Sequence, residues 1–493
     1  MNRHDRRARM SDVANMSDNS AHFTADMQAA TTLFKEGQFK AAADTFRRIV
    51  KVYARHPDIR VAWTNLGATV QELGDFDEAV SCFKKARSLK PDHAASHNNL
   101  GMALLNQGKL DEAEAALREA LALDPTFFVA WASLGALLEQ RGDVAGAEAA
   151  LREAMALADN NAEVRFNLAN LVRQQGKIAE AIELYRKCID IRPGFPEALV
   201  NLGGVLAEDG EPEAAAENLL AALRLIPQHE GVHTILGETL HALAAKGGEA
   251  RARALAQEWR AQHPGSPTAQ HMSAAALGSR DLIRASDTYV RVRFDGFAHM
   301  FDHMQEQSGH IGHELLREAV TGTLGPAPAE GGTLDVLDAG CGTGRCGAFL
   351  KPYARQLVGV DLSPNMLQVA RQRGLYHRLI AGELAAFLSA SKGGFDLIAG
   401  GDVLAYFGDL GWVLDAAAGA LKPGGHLALS LETGGDSDWN LLPSGRFSHS
   451  DAYLRGALQK AGLEVLSLVP AERLRMEQGQ AVPGLVAVAK KPV

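Results

Sequence analysis

Between residues 60 and 229 small and apolar side chains return every 34 positions. Leu66, Leu100, Leu134, Leu168, Leu202 and Leu236 each stand directly before a small residue: Gly67, Gly101, Gly135, Ala169, Gly203 and Gly237. Gly74, Gly108, Gly142, Gly176 and Gly210 form a second ladder, and Ala79, Ala113, Ala147, Ala181 and Ala215 a third. Pro91, Pro125, Pro193 and Pro227 close their units. This spacing predicts two helices per unit, joined at the glycine and ended by the proline. Small residues let the paired helices touch, the turn glycine takes a positive φ, and proline cannot extend a helix. Five units match well; a longer one precedes them over 23–59, and a sixth, from 230, is degenerate around Lys246-Gly247-Gly248. Beyond Pro264-Gly265-Ser266-Pro267 the register is lost, and 287–303 reads as helical, dense in aromatic residues and histidines.

From Thr333 the pattern changes to short apolar runs alternating with helical stretches. Strands are expected at Leu334–Leu337, Leu357–Val360, His377–Ile380, Phe395–Ala399 and His426–Leu431. Val465–Val469 and Leu485–Ala489 are too close together for a crossover helix, so they should pair as an antiparallel hairpin. The fold class is thus an all-α superhelix followed by a Rossmann-like α/β sheet of seven strands, five parallel plus that hairpin.

At 493 residues the chain exceeds one ordinary core. Hydrophobic content of 46% and charged content of 22% are those of a globular protein, and the formal charge of -9 argues against nucleic acid as a partner. No apolar run reaches the roughly 18 residues needed to span a bilayer. The basic start, Met1 to Met10, has no apolar segment behind it and does not read as a secretion signal. Cys82, Cys188, Cys341 and Cys346 have no framework spacing and no histidine cluster beside them, so no metal is expected and a reducing cytoplasm is the simple setting.

The most telling chemistry lies in Val336-Leu337-Asp338-Ala339-Gly340-Cys341-Gly342-Thr343-Gly344 and, further on, Val358-Gly359-Val360-Asp361. A strand ends in an acid, a glycine turn follows, and a second strand ends in another acid. The stretch resembles the first motif of class I S-adenosylmethionine-dependent methyltransferases. Gly342-Thr343-Gly344-Arg345-Cys346-Gly347 also satisfies the looser glycine pattern of dinucleotide enzymes. Asp338 before the turn, the terminal hairpin and Lys422-Pro423-Gly424-Gly425 before the fifth strand favour the methyltransferases. The resemblance implies S-adenosylmethionine as cofactor. Asp338, Gly340 and Gly342 would hold its methionine end, with Cys341 and Gly344 completing the turn. Asp361 would bind the ribose hydroxyls, Leu362 and Met366 would flank the adenine, and Glu383 would face the adenine amino group. Asp402 would border the reacting methyl, although a helix cap is the alternative for it.

The 34-residue unit resembles the tetratricopeptide repeat, giving about seven repeats with the last degenerate. Asn65, Asn99, Ser133, Asn167, Asn201 and Ile235 stand directly before the Leu-small pairs. Asparagine is a mediocre helix former, so its return at one position needs a reason. It could bridge adjacent repeats, or, as the resemblance to the repeat domain of O-GlcNAc transferase implies, Asn65, Asn99, Asn167 and Asn201 could grip a peptide backbone. Ser133 and Ile235 interrupt that ladder.

The resulting division is a disordered basic start at 1–22, repeats at 23–264, a linker and helical lid at 265–325, and the catalytic domain at 326–493. Tyr289, Phe294 and Phe301 are candidate walls of the active site, or else dock the repeats onto the catalytic domain. In the loop after the fifth strand Arg446 could clamp a carboxylate, and His449 could accept a proton, as could His299 or His303. The catalytic half resembles a bacterial group of methyltransferases that carry tetratricopeptide repeats. The leading expectation is an enzyme whose repeats recruit a protein or peptide that is substrate or partner. Its rivals are a small-molecule O- or N-methyltransferase that uses the repeats only for docking, and a scaffold with an inactive methyltransferase domain.

Overall fold

The computed structural model describes residues 20–493 except Asp436 and Gln478. The chain divides into two compact units, the first ending at Ala198 and the second beginning at Leu199. The basic residues 1–19 lie outside the described residues, whereas 20–22, expected to be disordered, already belong to a helix over 20–35.

In the first unit that helix pairs with Phe39–Val52, and the pairs Ile59–Glu72 with Phe76–Leu89 and Ala94–Asn106 with Leu110–Leu123 follow. Phe128–Arg141 with Val144–Leu157 and Ala162–Gln174 with Ile178–Ile191 complete the series. The small-residue ladder explains itself at Gly101, where a Cβ would lie 2.7 Å from Leu117 Cγ. The turn ladder does so at Gly142, whose φ of +84° ends its helix in the left-handed region.

The second unit continues the pattern through Pro212–Leu225, Glu230–Ala245 and Glu249–Gln262. A Cβ on Gly237 would touch Met272 at 3.0 Å, so the helix Pro267–Leu277, where the register is lost, packs against Glu230–Ala245. Three helices, Asp287–Asp295, Phe301–Gln307 and Gly312–Leu324, lead to the sheet.

The strands are β1 (Leu334–Ala339), β2 (Ala354–Asp361), β3 (Arg378–Ala381), β4 (Phe395–Gly401) and β5 (Leu421–Glu432). A small hairpin follows, β6 (Trp439–Leu441) and β7 (Phe447–His449), then β8 (Glu464–Glu477) and β9 (Gln480–Lys490). The seven-stranded sheet runs in the order β3-β2-β1-β4-β5-β9-β8. β1 to β5 are mutually parallel, and β9 lies antiparallel to both β5 and β8. Leu316 and Val320 of Gly312–Leu324 pack with Val336, Leu357, Leu397 and Ala428 in the core beneath it. Because the chain leaves β1 toward β2 on one side and returns at β4 on the other, a crevice opens at the carboxyl ends of these strands.

Two expectations need correction. The stretch between the fifth strand and the next helix is not simply a loop: Phe447 is fully buried against Trp439, Ala274 and Ala275, which draws out the β6–β7 hairpin. Strands of three residues are too short to show a period of two. The strand expected at Val465–Val469 runs on to Glu477, with an irregularity between Ala471 and Arg475 that hides the alternation.

Candidate active site

The glycine turn after β1 has φ values of +67° at Gly340, +52° at Gly342 and +90° at Gly344. A Cβ on Gly340 would fall 2.4 Å from Val403 Cγ2, whereas one on Gly342 would meet nothing within 4 Å. The turn is clamped to the next strand: Gly342 N–H donates to Asp361 Oδ2 at 2.9 Å and Cys341 N–H to the Val360 carbonyl at 3.0 Å. Asp361 Oδ1 accepts from Ser363 N–H at 2.9 Å. Burial pushes the Asp361 carboxyl above its ordinary range, against the pull of those two amides.

These residues face a cavity of about 1160 Å³, counted to its open mouth, at the carboxyl ends of β1, β2 and β4. On the β2–β3 side the wall holds Asp361, Leu362, Met366 and Glu383. Glu383 also caps the helix Leu384–Ala390, accepting from Ala385 N–H at 3.1 Å and Ala386 N–H at 2.7 Å. Phe294 and Phe301 reach the cavity from the two short helices upstream of the sheet. Asp295 and Asp302 fasten those helices down. Asp302 accepts from Thr343 Oγ1 at 2.6 Å and pairs with Arg373; Asp295 accepts from Ser363 Oγ at 2.5 Å.

On the β4 side Asp402 sits at φ +68°, the one non-glycine residue with positive φ among the described residues. It precedes the 3₁₀ turn Val403–Tyr406 but does not cap it. Its carboxylate instead bonds Arg446, which reaches back to Glu432 at the end of β5, where Arg475 of β8 also binds. Burial alone would raise the Asp402 carboxyl; the Arg446 charge, helped by His310, holds it well below the carboxylate range. Arg446 is itself held charged: burial opposes it, but Asp402 and Glu432 prevail. With both carboxylates taking up its guanidinium, Arg446 serves the wall rather than standing free as a clamp.

Several expected residues lie elsewhere. Asp338 is sealed beneath the turn, where Tyr376 OH donates to it at 2.6 Å, and it does not line the cavity. Burial, with the Asp361 charge adding, pushes its carboxyl up to about 7, though the tyrosine bond works against this. Gly344 packs against Tyr376 and Arg373. His449 is fully buried away from the cavity, stacked on Tyr453 with Nε2 at 3.1 Å from the Gly408 carbonyl, and burial drops it to about 4. That ring fills space and cannot meet an acceptor. His299 is exposed, and His303 is exposed and turned to Gln307, so neither reaches the wall. Tyr289, also off the wall, stacks on His271 of the helix Pro267–Leu277 with its hydroxyl on the Met272 sulfur. Sequence reasoning missed Tyr376 and the wall residues His310, His313 and Arg345. The spacing of His310 and His313 at the start of a helix was the one available signal.

In the first unit the side chains of Asn65, Asn99 and Asn167 make no hydrogen bond among the described residues. Asn201, in the second unit, is engaged within the protein.

A doubly wound sheet with a terminal antiparallel pair, preceded by paired helices of fixed period, defines a repeat protein fused to a Rossmann-like domain. Residues 337–427 match the methyltransferase domain model, and tetratricopeptide repeat models match 22–92, 64–126, 127–193 and 172–238. The chain thus carries a methyltransferase domain behind tetratricopeptide repeats. It is similar to a ubiquinone biosynthesis O-methyltransferase of Xanthomonas axonopodis pv. citri, 28% identical over 207 residues, covering 36% of this chain and 83% of that one. A protein of the same name from Xylella fastidiosa (strain 9a5c) is 32% identical over 151 residues, covering 26% of this chain and 61% of its own length. A thermophilic TPR protein of Thermus thermophilus aligns at 24% identity and a TM-score of 0.34, over 38% of this chain and 99% of that one. Among the described residues no helix is long and apolar enough to cross a membrane.

Proposed function

We propose that this chain transfers a methyl group from S-adenosylmethionine to a small acceptor that enters beside Asp402, while its repeats hold a polypeptide partner. One observation carries the reading: the bare backbone of the glycine turn, the Asp361 carboxylate and the β4 polar cluster all face a single cavity roofed by aromatic helices. The residues present fit the cofactor. Gly342 offers open backbone where a side chain would project, Asp361 and Glu383 offer carboxylates for hydroxyl and amino hydrogens, and Leu362 and Met366 offer an apolar face. When bound, S-adenosylmethionine supplies a methyl group on a cationic sulfur, whose departure as a neutral thioether needs little assistance.

The protein's own part is therefore alignment and exclusion of water. Asp361 fixes the turn and the nucleoside together, because its amide bonds to the turn leave room for further acceptance. Asp338 acts at one remove, by holding Tyr376 against the underside of Gly344 and Gly347. Phe294 and Phe301 close the roof, tied through Asp295 and Asp302 to the loops they cover. The relatives named O-methyltransferases support a small acceptor.

A second reading, a polypeptide acceptor recruited by the repeats, is favoured by the partnerless amides of Asn65, Asn99 and Asn167. Incubation of the full-length protein with methyl-labelled cofactor and a cell lysate separates the two. Label in small molecules is expected; label confined to protein would replace the first reading by the second.

A further inference from the structure

Arg284, Arg345 and Arg446 all line the cavity, but acids neutralise only the first and the last. Arg284 pairs with Asp287 at 2.8 Å and Glu383 at 3.4 Å, and Arg446 with Asp402 and Glu432. Arg345 forms no ion pair among the described residues, and its Nη1 is buried without a hydrogen bond there. Its Nη2 donates to His313 Nε2 at 3.4 Å. Because that nitrogen accepts, the ring proton is assigned to Nδ1, which is likewise buried and unmet among the described residues. Burial, with the Arg345 charge adding, pulls the His313 imidazole below its ordinary range and keeps it neutral. Glu314, next along the helix, is exposed and off the wall. Two side chains in contact, one of them cationic, thus hold unmet N–H groups on a ligand cavity, where a ligand can supply the missing acceptors. The pair adjoins Asp402. His313 lies one turn from His310, whose Nε2 is 3.4 Å from Asp402 Oδ2. Cys346, beside Arg345 in the chain, packs on the residue before Asp402, since a Cβ on Gly401 would fall 3.0 Å from its sulfur.

We propose that Arg345 and His313 hold a carboxylate of the acceptor, which makes the substrate a carboxylic acid; this rests on the methyl-transfer reading above. A carboxylate is planar and carries two acceptor oxygens and one negative charge, so it answers a guanidinium and a neighbouring N–H together. The cofactor's own carboxylate is offset by its ammonium, and with the sulfonium that molecule is a cation overall. Bringing it into a cavity that already holds an unbalanced arginine is unfavourable, and an anionic acceptor removes the repulsion. Phe294, Phe301 and Tyr406 line other parts of the same space, which suits an acid with an apolar body. With its oxygens taken up by donors the carboxylate is a weakened nucleophile. It anchors the acceptor, and the methyl group goes to another of the acceptor's atoms.

The test follows methyl label from S-adenosylmethionine into the small molecules of a cell lysate, using the full-length protein. The labelled product should bind an anion exchanger at about pH 7 and leave it at about pH 2, because its carboxylate is untouched. Arg345→Met and His313→Phe should bind S-adenosylhomocysteine within about twofold of wild type, which shows them folded, yet label that product at least about tenfold more slowly. Arg345→Lys should keep part of the rate, and added guanidinium should restore part of it in Arg345→Ala. A neutral product, one that stays bound at about pH 2, or unchanged labelling by Arg345→Met overturns the proposal. So does a fall in S-adenosylhomocysteine affinity in Arg345→Met with that for methylthioadenosine, which lacks the amino acid, unchanged; the pair would then hold the cofactor's carboxylate. Failure of wild type to bind S-adenosylhomocysteine, or label confined to protein, would instead remove the reading beneath it.

Discussion

Asp338 shows how one residue links the turn to the pH dependence of the whole domain. Its folded-state value of about 7 lies above the ordinary 3.8, mainly through burial, so the fold favours the protonated form. The stabilisation this implies is complete below pH ~4 and is lost as pH rises through the folded-state value. Asp338→Asn keeps an acceptor for Tyr376 but cannot ionise. Its melting temperature should gain on wild type between pH 4 and pH 8, by the equivalent of on the order of a few kcal/mol. A gap constant across that range would contradict the assignment. At Gly340 both φ +67° and the 2.4 Å approach of Val403 exclude a side chain. Gly340→Ala should therefore weaken S-adenosylhomocysteine binding by at least about tenfold, as about 1–2 kcal/mol of left-handed strain plus the clash distorts the turn; calorimetry checks it.

At the scale of elements, Arg446 is a joint: it ties the end of β4 through Asp402 to the end of β5 through Glu432, where β8 adds Arg475. Arg446→Met would leave two buried carboxylates short of their partner, which should cost about 3–5 kcal/mol in a denaturant titration. Gly101→Val pushes a side chain into Leu117 and should cost about 2 kcal/mol in thermal melts of the same protein. Elements were legible wherever one physical demand repeated. The 34-residue ladders stand out because every helix pair needs the same close approach, and β1, β2 and β4 because buried parallel strands are nearly continuous in aliphatic residues. The β6–β7 hairpin was not legible, since only the burial of Phe447 under a distant helix creates it. His449 and His310 show the same limit at the site. His449 ends a three-residue strand and His310 lies between two helices, and only the packing reveals that one is sealed and the other faces the cavity.

For the whole molecule, the proposed function gives the repeats and the methyltransferase domain separate tasks. Replacing Asn65, Asn99 and Asn167 together by Ala should abolish capture of the polypeptide partner while leaving S-adenosylhomocysteine affinity within about twofold, because none of the three belongs to the cavity. Loss of both properties at once would contradict that division of labour. The central claim is that the cavity behind the glycine turn holds a sulfonium nucleoside. Calorimetric titration of S-adenosylmethionine into the full-length protein and into Asp361→Ala tests it most directly. One site per chain in wild type, weakened at least about tenfold in the variant, is the predicted result. No binding to wild type, or saturable binding of a nicotinamide dinucleotide in its place, would contradict it.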